Sequence, residues 1–203
     1  MLNGVAPQTP ACAPRLARLR SKKGKIQGNF MTTKRKSTND NYSSTIAEKI
    51  SNILSHVPRG SNADQKRFLQ QFYQKMPVMD LDRIDPDRAC ALALSAYEFA
   101  GSRKKGEAKI RIYQPKKKTH GWDSEHMVVE ILNDDMPFLV DSVSAELQRL
   151  QIPPLQTIHP IIHLNRDAKG ALKGIAEVQD SSAVTESFMH FRLPLLPADV
   201  TPK

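Results

Sequence analysis

Asn133-Asp134-Asp135-Met136-Pro137-Phe138 is the stretch whose residue types best suit a small ligand. It follows the apolar run His126 to Leu132 and precedes an amphipathic pattern of Phe138, Leu139, Val143, Leu147 and Leu150. A turn from strand to helix presents free N–H groups at the positive end of the helix, and these suit a carboxylate. Asp134 and Asp135 argue the other way, since they repel an anion unless a ligand's ammonium meets them. The simpler expectation is that the two aspartates cap the helix themselves. Pro137 then falls in the first turn, where its missing N–H costs nothing. Asp141, six residues past Asp135, is a weak third member of any carboxylate site.

Other constellations are thin. His159-x3-His163 is the only tight histidine pair, and no third ligand stands at zinc-site spacing, so no metal is expected. Cys90 sits among alanines on a helical face and reads as a small buried side chain. Nothing resembles a glycine-rich phosphate loop or a G-x-S-x-G nucleophile elbow. No catalytic residue and no cofactor site are therefore expected in this chain.

The elements that must position the turn follow from periodicity. Ile46, Ile50, Ile53, Leu54 and Val57 recur at helical spacing, stopped by Pro58 and Gly60. A second helix is expected from Ala63 to Met76 with Phe68, Leu69, Phe72, Tyr73 and Met76 as its stripe, ended by Pro77. Met79 to Asp85 reads as a connector, and Pro86 as the first-turn residue of a third helix through Arg103. At Gly106 the period changes from 3.6 to 2. Ile110 and Ile112 alternate with Arg111 and Tyr113, and a lysine run after Pro115 reads as a turn. His126 to Leu132 reads as a central strand. One strand is expected from Leu155 to Leu164, a hairpin strand from Ala171 to Val178, and a last strand from Glu186 to Leu195. That last strand puts Phe188, His190 and Arg192 on one face and Met189, Phe191 and Leu193 on the other. The pattern is α+β, with helices on an antiparallel sheet.

The chain has 203 residues, a formal net charge of +9 and no apolar run long enough to span a membrane. Two distant cysteines exclude a disulfide scaffold. The charge first suggests a nucleic-acid binder, but nine of the 30 Lys and Arg lie in residues 1–39, which hold no acid. The remainder carries 21 basic against 21 acidic residues, so neither a nucleic-acid nor a membrane partner is expected. The expected organisation is a disordered basic leader over 1–42, a helical lead-in over 43–105, an α+β domain over 106–195 and a tail over 196–203. Met31 offers a second start within the leader.

The run Gly121-Trp122-Asp123-Ser124, then His126 through Ser142 with its NDDMPFLVDS decapeptide, resembles the amino-terminal region of the large bacterial NAD-specific glutamate dehydrogenases. Ile158-His159-Pro160-Ile161, Asn165-Arg166-Asp167 with Gly170, and Glu186-Ser187-Phe188-Met189-His190 are similar to it as well, as are Phe72-Tyr73 and Asp80-Leu81 upstream. The resemblance covers roughly residues 64 to 193. It implies an ACT-like domain, a βαββαβ module that often binds amino acids or mediates association. The family pattern continues past the ESFMHF strand with a helix and a strand, so the resemblance implies an incomplete, truncated ACT-like sheet with one covering helix. It also implies a parent reaction, L-glutamate and NAD to 2-oxoglutarate and ammonia, whose catalytic and dinucleotide-binding domains lie outside this chain.

The expected role is therefore regulatory or structural, in the cytoplasm. Its expected partners are the remainder of the dehydrogenase or a second copy, and a small amino acid at Asn133 to Phe138. The alternative is a standalone adaptor that recruits a partner protein through an exposed sheet edge.

Overall fold

The structure is a computed structural model that describes residues 38–195, with side chains from Thr45 onward. Most of the expected leader and the whole of the tail lie outside the described residues. Helix α1 (Thr38–Ser55) buries Ile46, Ile50 and Ile53, the stripe that its sequence spacing predicts. Helix α2 (Ala63–Tyr73) opens on a capping box: Asn62 Oδ1 accepts from Gln65 N at 2.8 Å, and Gln65 Oε1 accepts from Asn62 N at 2.9 Å. It buries Phe68, Leu69, Phe72 and Tyr73 and ends three residues earlier than expected. Part of the expected connector is helical, as the short α3 (Val78–Leu81), which begins after Pro77 and buries Leu81. Helix α4 (Pro86–Phe99) has Pro86 in its first turn and Asp85 as its cap, with Asp85 Oδ1 accepting from Arg88 N at 3.1 Å. It stops at Ala100, short of Arg103.

The remaining elements are β1 (Lys109–Tyr113), α5 (Lys117–His120) where a plain lysine turn was expected, β2 (Met127–Asp134), α6 (Leu139–Arg149), β3 (Gln156–Ile158), β4 (Ile161–Arg166), β5 (Leu172–Ile175) and β6 (Val184–Leu193). They form one antiparallel sheet in the order β1-β2-β6-β4-β5, with β3 also paired to β6. The single strand expected from Leu155 to Leu164 is broken at His159-Pro160. Proline has no N–H to donate, so the ladder loses a rung there. The register nevertheless holds across the gap, with Ile158 opposite His190 and Ile161 opposite Ser187. Phe188 N donates to Pro160 O at 3.0 Å and bridges the break.

Alternation divides the sheet into two faces. Val128, Glu130, Leu132 and Asp134 of β2, with Glu186, Phe188, His190 and Arg192 of β6, face the layer of α1, α2 and α4. Phe188 is fully buried at the centre of that layer, with the rings of Phe72, Phe68 and Phe99 at 5.5, 6.1 and 6.1 Å. The helical lead-in and the sheet thus share one core. On the opposite face Met127, Val129, Met189, Phe191 and Leu193 pack under α6, which contributes half-buried Leu139, Val140, Val143 and Leu147 but no fully buried residue.

Candidate functional site

Strand β2 runs two residues further than the sequence suggests, through Asp134, and this decides the fate of the turn. At that register position Asp134 faces the helical layer, away from α6. Its Oδ1 accepts from Arg103 Nη2 at 2.5 Å and its Oδ2 from Gly106 N at 2.9 Å. The Arg103 hydrogen bond, against a smaller opposing effect of burial, holds the Asp134 carboxyl below the usual aspartate range. Asp134 therefore does not cap α6, and neither does Asp135. Helix α6 starts after Phe138, which sits in the left-handed region at φ 66°, and no side chain caps it. Pro137 precedes the cap position instead of occupying the first turn. The expectation of a self-capped helix is corrected accordingly.

The rest of the turn is open. Asn133 Oδ1 accepts from Asp134 N at 2.9 Å. Asp135 is exposed, and its N–H donates to Thr185 O at 3.4 Å. Met136 is 50% and Phe138 76% exposed. The turn thus presents an exposed carboxylate, helix N–H groups with no side-chain cap among the described residues, and two solvated apolar side chains.

Beneath it lies an ion network that the sequence reading did not find. Glu186, fully buried, accepts from Arg103 Nη2 and Arg166 Nε on Oε1 and from Arg166 Nη2 on Oε2, all at 2.7 Å. Arg103 Nη1 also reaches the carbonyls of Lys104 and Glu107, and Arg166 Nη1 and Nη2 reach those of Gly170 and Ala100, whereas Arg103 Nε is buried with no partner among the described residues. This clamp ties the end of α4 and the loop after it to β2, β4 and β6.

A second network surrounds Glu130, also fully buried. Its Oε2 accepts from Arg111 Nε at 2.5 Å, and its Oε1 meets His190 Nδ1 at 2.9 Å and the Tyr113 hydroxyl at 3.2 Å. Burial pushes the Glu130 carboxyl up, but His190 and Arg111 outweigh it and hold it below its ordinary value. The available sequence signal was that Glu130, His190 and Arg111 all fall on one face by alternation. Pairing them needed the strand register.

The histidine pair is not assembled into a site. His159 Nε2 lies 2.7 Å from Ser187 Oγ, and burial pushes the imidazole below its ordinary value. His163 Nδ1 is buried without a hydrogen-bond partner among the described residues. Among the described residues no group of three His, Cys, Asp or Glu is placed to hold a metal. Cys90 is buried in α4, and burial pushes its thiol up, away from the reactive thiolate.

The family described as "Glutamate dehydrogenase, ACT1 domain" matches residues 68–201, from within α2 through the whole sheet. The chain belongs to that family. It is 34% identical over 130 residues to the NAD-specific glutamate dehydrogenase of Pseudomonas aeruginosa, covering 62% of this chain and 8% of the relative. It is 30% identical over 131 residues to the NAD-specific glutamate dehydrogenase of Halomonas elongata, covering 64% of this chain and 8% of the relative. No solved structure matches it. The chain thus spans less than a tenth of the curated relatives it matches. The ACT1 match includes the Asp134–Arg103 clamp, the open turn and α6. Its α+β architecture is the antiparallel sheet expected of an ACT-like domain, and no described helix is long and apolar enough to cross a membrane.

Proposed function

We propose that this chain is an amino-terminal regulatory and structural segment of an NAD-dependent glutamate dehydrogenase, and that its role is to assemble with the rest of that enzyme in the cytoplasm. Oxidation of L-glutamate to 2-oxoglutarate and ammonia, and the binding of NAD, then belong to other domains. The observation that carries the reading is the uncovered half of the α6 face. Lys109, Arg111 and Tyr113 of β1 turn toward the helical layer, so Ile110 and Ile112 turn the other way. Ile110 pairs with half-buried Ile131 and Ile112 with buried Val129, and the two β1 side chains remain 58% and 46% exposed. Apolar side chains grouped on one sheet face support an association surface, and relatives of far greater length supply the class of partner. The test is binding of the 203-residue chain to a family dehydrogenase lacking the homologous segment. Wild type binds, and the Ile110→Lys, Ile112→Lys double variant does not.

The small amino acid belongs, on this reading, at the turn from Asn133 to Phe138. The uncapped N–H groups of α6 suit its carboxylate and the exposed Asp135 its ammonium. A rise in the unfolding temperature with millimolar amino acid, abolished in Asp135→Asn, supports that placement. The second reading, an adaptor recruiting a partner by strand addition, rests on β1 having a neighbour on one side only among the described residues. It predicts capture of an extended peptide that the isoleucine substitutions leave intact.

A further inference from the structure

On the helical side of the sheet, at the end where β6 finishes, a cavity of about 170 Å³ opens between the start of α4, the Trp122 loop and strands β3 and β6. Its walls are unusual in charge. Arg88, Arg192 and Arg83 all line it, with Asp85 as the acid beside them. Asp85 is already engaged as the α4 cap, and Arg83 reaches Asp80 at 3.9 Å. Arg88 and Arg192 have no carboxylate within ion-pair distance among the described residues, in contrast to Arg103, Arg111 and Arg166. The two half-buried guanidinium groups face one space in which the capping carboxylate of Asp85 is the acid, and burial together with Arg88 pushes Arg192 below its ordinary value.

Two donors in the same wall are also unsatisfied. Trp122 is 3% exposed, and its Nε1 is buried with no hydrogen-bond partner among the described residues, as is Arg192 Nε. Buried N–H groups are paired in nearly every native protein, so two orphans on residues that line one cavity favour an acceptor there. Arg88 lies 5.4 Å above the Trp122 ring, which fixes both side chains. Leu92 and Ile84 supply an apolar floor.

We propose that this cavity is a binding site for the oxyanion group, carboxylate or phosphate, of a small ligand. Arg88 and Arg192 supply the charge, and Trp122 and Arg192 each carry a donor with no partner among the described residues. The volume is about that of five or six water molecules, so the ligand is a small acid and not a nucleotide. The site lies across the sheet from Ile110, Ile112 and the open turn, so it stands or falls separately from the association surface and from the amino-acid placement.

Trp122 is the only tryptophan in the sequence, so its fluorescence reports on this cavity alone. The experiment titrates the 203-residue chain at neutral pH with inorganic phosphate in one arm and succinate in the other, with sodium chloride holding ionic strength constant. A saturable change in one arm identifies the oxyanion as phosphate or carboxylate. Arg192→Gln and Arg88→Gln then weaken half-saturation by about tenfold or more. Arg88 is half-buried on a helix surface, so Arg88→Gln carries the test should Arg192→Gln fail to fold. No saturable change in either arm overturns the proposal, and so does a folded Arg88→Gln variant that titrates like wild type.

Discussion

Arg103 Nη2 lies 2.7 Å from Glu186 Oε1, and neither side chain is more than 1% exposed. The pair joins the loop after α4 to the start of β6, 83 residues later in the chain. A buried charge left without its partner is costly. Glu186→Gln keeps the shape but leaves Arg166 without a carboxylate and Arg103 with Asp134 alone. The expected loss in urea-unfolding free energy is about 3–5 kcal/mol. A loss below about 1 kcal/mol, the range of exposed pairs, would show that the clamp is solvated in solution.

Acid stability follows from the same carboxylates. Asp134 and Glu130 both have folded pKa values below their ordinary values of 3.8 and 4.5. Groups depressed on folding contribute stability that is fully present above the unfolded value and is lost as pH falls through the folded one. Asp134→Asn removes one such group. The gap in unfolding temperature between wild type and this variant should be widest above about pH 5 and should close as the pH falls through the acid range. Thermal unfolding from pH 7 downward checks this, and a gap independent of pH would contradict it.

How far the sequence revealed these features depended on whether a signal was local. The stripes of α1 and α2, Pro86 in the first turn of α4, and the two faces of β6 are written within one or two turns or strand repeats, and all three stand where the residues predict. The turn at Asn133 to Phe138 misled because two aspartates before a helix look alike whether they cap it or reach elsewhere. Only β2 continuing to Asp134 turns that side chain toward Arg103. The break at Pro160 was visible in the residue itself, but the unbroken register on either side was not. The Glu186 clamp, the Glu130 network and the Trp122 cavity join residues far apart in the chain, and no local spacing announces them.

Glycines at positive φ separate two kinds of constraint. Gly170 has φ +84°, and a Cβ there would lie 2.4 Å from Arg103 O and 2.8 Å from Arg103 C, against backbone that cannot swing aside. Gly106 has φ +78° with nothing within 4 Å. Gly106→Ala should cost about 1–2 kcal/mol, the left-handed backbone penalty alone. Gly170→Ala should cost clearly more, because it also displaces the Arg103 N to Gly170 O hydrogen bond of 2.9 Å. Equal urea midpoints for the two variants would contradict the close approach.

The two faces of the sheet should differ in their sensitivity to truncation. Phe188→Ala opens a cavity among Phe68, Phe72 and Phe99 and should cost about 3–5 kcal/mol. Leu147→Ala on the half-buried face of α6 should cost less, because its site already borders solvent. Chemical denaturation of both variants orders them, and the reverse order would mean that α6 and not the helical lead-in dominates the core.

The association surface is tested most directly by sedimentation of the 203-residue chain mixed with a family dehydrogenase from which the homologous segment has been deleted. A complex formed by wild type and lost in the Ile110→Lys, Ile112→Lys double variant is the predicted result. No complex with the folded wild-type chain, or equal binding by the double variant, would contradict the assignment of this face to assembly.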